Sequence, residues 1–70
     1  GMMFLKYTSI SGRKFRLHPR QIGAYASEGK NTRIWASIAG MPVSFVVEKP
    51  VEDVDAEIEA SHLAEQEQGA

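Results

Sequence analysis

Apolar and polar side chains alternate with period two along most of the first forty-eight residues, and the period lengthens to that of a helix after Pro50. In MFLKYTSI, residues 3–10, Met3, Leu5 and Tyr7 alternate with Phe4, Lys6 and Thr8, which predicts a strand with one buried face. Ser11 and Gly12 supply turn chemistry, and KFRLH, residues 14–18, then sets Phe15 and Leu17 against Lys14, Arg16 and His18. Pro19 interrupts the pattern, because its missing N–H and fixed φ do not suit a central ladder position. A weaker strand follows over 22–27, with Ile22, Ala24 and Ala26 opposite Gly23 and Tyr25. EGKN, residues 28–31, reads as a hairpin loop, since Gly29 and Asn31 both tolerate positive φ. The strongest alternation is in TRIWASIA, residues 32–39, where Ile34, Ala36 and Ile38 oppose Arg33, Trp35 and Ser37. Gly40 and Pro42 bracket another turn, and VSFVVE, residues 43–48, alternates Val43, Phe45 and Val47 with Ser44 and Val46.

Consecutive strands joined by short loops usually pair, so the pattern predicts a five-stranded antiparallel meander over residues 1–48. A helix is predicted over 49–66, with Pro50 in its first turn and Glu52, Asp53 and Asp55 where the helix dipole favours carboxylates. Val51, Val54 and Ile58 make the stripe expected to cover the sheet, and residues 67–70 read as a fraying tail. Ala56, Ala60, Leu63 and Ala64 fall on the other side, where they could seat a helix of a second subunit or simply serve as good helix formers. The expected class is α+β: one domain, a small antiparallel sheet and a C-terminal helix packed on one face.

The chain has 70 residues, and a domain of this size buries only about 60% of its unfolded surface, leaving little stability in reserve. With no cysteine, neither a disulfide nor a thiolate zinc site can supplement it, and His18 and His62 make no structural metal site by themselves. Self-association is the most economical remaining supplement, so a homo-oligomer is expected. No apolar run approaches the ~20 residues of a membrane span and no signal peptide is evident, which makes a cytoplasmic, bacterial-type protein the expectation and membrane insertion unexpected. Gly1 ahead of Met2 has the form of a tag remnant. The net charge of -1 hides a division: residues 1–40 carry a formal +6 and residues 41–70 a formal -7. Such asymmetry can mark a nucleic-acid surface with an acidic tail, or halves that neutralise one another within a subunit or across an oligomer.

From residue 10 onward the spacing of Ile10, Gly12, Phe15, Leu17, Ile22, Thr32, Ile34, Gly40, Val46, Val47, Glu48, Val51, Glu52 and Val54 resembles the small FlbD-like proteins encoded among bacterial flagellar genes. The likeness spans about residues 4–58 and rests on apolar positions and turn glycines. Ser11 stands where that family usually has Asn, and Pro50 where a capping Ser is common. The resemblance implies a compact β-rich protein without catalytic residues, connected with flagellar assembly or motor function. Residues 22–47 are also loosely similar to the β-rich LytTR type of DNA-binding domain, which needs a longer chain.

No nucleophile elbow, phosphate-cradling glycine loop or HExxH zinc motif occurs, and the carboxylates after Glu48 read as a solvated helix face. His62 has Glu59 and Glu65 one turn either way, a spacing usual for solvated ion pairs. Neither catalysis nor a cofactor is expected. What remains is the polar face of the sheet, where the alternation would put Lys14, Arg16, Tyr25, Arg33 and Trp35 on one side. Cations interleaved with aromatic rings suit single-stranded nucleic acid, through phosphate contacts and base stacking. They suit a protein interface equally, with arginines stacking or pairing with carboxylates of an acidic partner. The unbasic total favours the protein interface, with nucleic acid as the second reading and a partly buried Trp35 as the third.

Overall fold

The structure, a computed structural model, describes residues 4–69, apart from the side chains of residues 65 and 67–69. Its elements are β1 (Leu5–Thr8), β2 (Lys14–Leu17), a 3-10 turn (Pro19–Gln21), β3 (Ile22–Glu28), β4 (Asn31–Ile38), β5 (Met41–Val47) and α1 (Val51–Gly69). All five strands pair antiparallel, as the alternation predicts, and one helix follows them, giving an α+β domain. The strands form two sheets, β1-β2 and β3-β4-β5, in place of one continuous meander. The break falls at Pro19, where the chain turns through the 3-10 segment and β2 never pairs with β3. Among the described residues the two sheets are joined along the backbone by a bridge between Ser9 and Val47, beside which the Ile10 N–H donates to the Val46 carbonyl at 2.9 Å.

Turn residues set the register. Gly29, at φ 64°, occupies the first central position of the β3-β4 hairpin, between the paired residues Glu28 and Asn31. Between Ile38 and Met41 the two-residue β4-β5 loop holds Ala39 at φ 52° and Gly40 at φ 79°, positive at both central positions as a right-twisting hairpin prefers. This lets β5 begin at Met41, two residues before the periodicity alone implies. At the β1-β2 turn Gly12 N–H donates to the Ser9 carbonyl at 2.8 Å and Ser9 N–H to the Arg13 carbonyl at 2.8 Å.

The inner faces of the sheets pack on one another, with the rings of Phe15 and Phe45 stacked at 4.2 Å and Tyr7 tilted against Phe45 at 6.4 Å. Leu5, Leu17, Ile34, Ala36 and Val47 complete this layer, and Val54 and Ile58 close it from α1. Val54 is fully buried, so the predicted helix stripe holds; Ser61, two turns further on, extends it as a buried residue that an apolar count passes over. The helix starts from the Pro50 carbonyl, which accepts the Asp53 and Val54 N–H groups, and it continues to Gly69 through most of the stretch that composition reads as tail. Met3, expected on the inner face of the first strand, and Ala70 lie outside the described residues. Thr32 is fully buried and ties β4 to the start of α1 by donating to the Lys49 carbonyl at 2.8 Å.

Candidate interaction surfaces

The five residues expected on one polar face occupy three different places. Lys14 and Arg16 stand on the outer side of the β1-β2 ribbon, where Lys14 opposes Thr8 and Arg16 opposes Lys6. Arg33 and Trp35 stand on the outer side of the three-stranded sheet. Because the two inner faces pack together through Phe15 and Phe45, these outer faces point in different directions. Tyr25 leaves the set altogether. A bulge at Gly23 lets Ile22 oppose Ala36 while Ala24 opposes Trp35, so Tyr25 comes to oppose buried Ile34 on the inner side. Its hydroxyl donates to Oδ1 of Asp55 on α1, and that bond, ahead of burial, raises the phenol's pKa.

On the three-stranded sheet, Trp35 is 44% exposed and surrounded by small side chains, with Ala24 and Ser44 directly opposite it on either neighbouring strand. A shallow cleft of about 400 Å³ runs past it, lined by Arg20, Gln21, Gly23, Gly40 and Pro42 among others. The neighbouring cation is already neutralised: Arg33 Nε donates to Glu28 Oε2 at 2.7 Å and its Nη1 to Ser44 Oγ at 3.1 Å. That bond holds the Glu28 carboxyl below, and the Arg33 guanidinium above, its ordinary pKa.

The ribbon is different in kind. Lys6 and Arg16 are direct cross-strand partners of like charge, and Lys14 is the diagonal neighbour of Lys6. None of the three meets a carboxylate among the described residues. Arg16 lies over the Phe4 ring at 5.1 Å and Arg13 over Phe15 at 5.1 Å, so the nearby aromatic rings are covered by their own cations. A cleft of about 380 Å³ lies between Lys6, Thr8, Lys14, Phe15 and Arg16. Lys6 has the right place in the period-two pattern to be read as outward, but which cation it faces is a matter of register that spacing alone does not set.

His18, expected on the solvent side beside Lys14 and Arg16, is buried. The chain leaves the strand there, and His18 caps the 3-10 turn: its Nδ1 accepts the Arg20 N–H at 3.1 Å while Gln21 Oε1 accepts the His18 N–H at 2.7 Å. His62 is exposed on α1, beside a cleft shared with Tyr25 and Glu59. Ala56, Ala60 and Leu63 are exposed along the outer side of the helix, and Ala64 is half-buried. At the start of α1 the half-exposed Lys49 ammonium pairs with Glu57 at 2.6 Å and sits 5.6 Å from the centre of the Tyr7 ring. The Tyr7 hydroxyl is buried without a hydrogen bond; burial pushes its phenol pKa up, and Glu57 nearby adds in the same direction.

Among the described residues no three metal-ligating side chains converge, and no helix is long and apolar enough to cross a membrane. The chain matches no family model, no curated protein and no solved structure.

Proposed function

We propose that this protein is a small, non-enzymatic interaction module of the cytoplasm that works by protein-protein assembly, with further copies of itself as the first partner. The observation that carries this reading is Trp35, 44% exposed in the middle of the outer face of the three-stranded sheet among alanine, serine and glycine. A large rigid ring on a floor of small side chains is the form of an interface anchor, because it offers much apolar area for little conformational entropy. The Arg33-Glu28 pair beside it leaves that arginine little charge to offer a phosphate. A flagellar setting follows only from the FlbD-like resemblance and is part of the proposal on that footing.

The nucleic-acid reading has one specific observation in its favour, the uncompensated cations of the ribbon. Against it, the exposed ring and those cations lie on different faces, so phosphate contacts and base stacking do not fall on one strand path. Sedimentation velocity of the wild type and Trp35→Ala tests the choice. Loss in the variant of a wild-type oligomer that survives about 1 M salt, where charge contacts are screened, supports the assembly reading. An identical profile for the two at that salt, or a wild-type monomer that binds a fluorescent single-stranded oligonucleotide at low salt through the Trp35 face, overturns it.

A further inference from the structure

Beyond the Trp35 face, the ribbon presents a second problem of charge. Lys6, Lys14 and Arg16 are held side by side by strand register, and opposed like charges in a sheet are destabilising. Two other cations have carboxylate partners, Arg33 in Glu28 and Lys49 in Glu57, so carboxylates were within the protein's means. The counter-charge for the ribbon is present in the same chain but out of its reach. Along α1, Glu52, Ala56, Glu59 and Leu63 recur at i, i+4, i+7 and i+11 as one exposed stripe, flanked by Asp53. Glu52, Asp53 and Glu59 meet no cation among the described residues. The helix lies against the inner side of β1, where Glu57 neighbours Tyr7, so this stripe and the outer side of the ribbon cannot meet within one molecule.

We infer that the basic ribbon of one copy docks on the acidic stripe of α1 of a second copy. The dimensions agree: Glu52 to Leu63 spans about 16 Å of helix, and Phe4 to Ser9 about 16 Å of extended chain. The helix stripe also carries an apolar side chain, Leu63 at 54% exposure. A polyanion is the poorer occupant, because the rings beside the cations are covered by Arg13 and Arg16 and are closed to base stacking. The contact is heterologous, ribbon to helix, so a bound pair leaves a stripe unused on one copy and a ribbon unused on the other, and assembly continues until a ring closes or a filament grows.

This inference does not rest on the Trp35 face, and the experiment separates them. Sedimentation velocity is run at about 0.05 M and about 1 M salt, across which the screening length falls several-fold, on the wild type, Trp35→Ala, Lys6→Glu with Arg16→Glu, and Glu52→Lys with Glu59→Lys. Circular dichroism checks that each variant is folded. The expected result is a low-salt assembly of the wild type that high salt weakens, that persists in Trp35→Ala, and that is lost in each double variant alone. Mixing the two double variants, whose altered surfaces are again opposite in sign, restores it. Low-salt assembly unchanged in either double variant overturns the inference, as does a mixture that stays monomeric. A monomeric wild type that instead takes up a fluorescent single-stranded oligonucleotide, and loses it in the ribbon variant, assigns the ribbon to a polyanion.

Discussion

Replacing Lys6 by glutamate should make the isolated domain more stable, because it turns a repulsive cross-strand pair into an attractive one. Lys6 opposes Arg16 directly, with Lys14 diagonal to it, on an exposed face. Two unit charges about 7 Å apart in water interact by about 0.6 kcal/mol, of which roughly half survives at 0.1 M salt. Removing one such repulsion and gaining one such attraction therefore amounts to about 0.6 kcal/mol, and to about 1 kcal/mol at low salt, within the measured range for cross-strand pairs. For a domain of this length that is a rise of about 3 to 6 °C in Tm. The cation-π contact of Arg16 with Phe4 is untouched by the change. The assay is thermal unfolding followed by circular dichroism, at low protein concentration so that self-association adds nothing to the wild type. A Tm no higher than that of the wild type at low salt would refute the reasoning, as would a gain that persists undiminished at about 1 M salt, where screening should remove most of it. A ribbon that is more stable with a carboxylate, yet carries none, is what a surface kept for an external anionic partner looks like.

Tyr7→Phe should leave stability at neutral pH unchanged or raise it by up to about 1 kcal/mol in urea unfolding, because the hydroxyl it deletes is buried without a hydrogen bond. The same variant should flatten the alkaline limb of the stability profile. Burial, then Glu57, raises the Tyr7 phenol in the folded protein, so its contribution is intact below the unfolded pKa of about 10 and is lost as pH rises through the folded value. A wild type equally stable at pH 9 and pH 11 would contradict this. Ala39→Gly should stabilise the domain by roughly 0.5 to 1 kcal/mol, read as a higher urea midpoint at constant m, since Ala39 sits at φ 52° where a Cβ is unfavourable. A lower midpoint would show that the β4-β5 loop relaxes to another turn.

Residues with a strict local rhythm could be read without a structure. The period-two runs around Leu5, Phe15, Ile34 and Phe45 give strands because an exposed backbone face selects polar side chains at every second position, and all four of these residues face the inside. The turns at Gly12, Gly29 and Gly40 were equally legible, since few other residues accept positive φ. Val54 and Ile58 declared the buried side of α1 in the same way. The site was less legible for a geometric reason: period two tells which residues share a face only while the count is unbroken. One extra residue at Gly23 moved Tyr25 from the Trp35 side to the helix side, and the only local signal for it in IGAYASE is the glycine itself, which often marks a bulge inside a strand. Pro19 announced an interruption but not its outcome, that His18 would turn inward and cap a 3-10 turn while the sheet split in two. Whether Arg16 faces a carboxylate or a lysine, and whether the acidic helix lies over the basic ribbon or away from it, depends on register and packing between segments distant in the chain. The alternation of the sequence determined the elements and their inner faces; only the tertiary structure decided which outer faces coincide, because that relation is carried by contacts across the core.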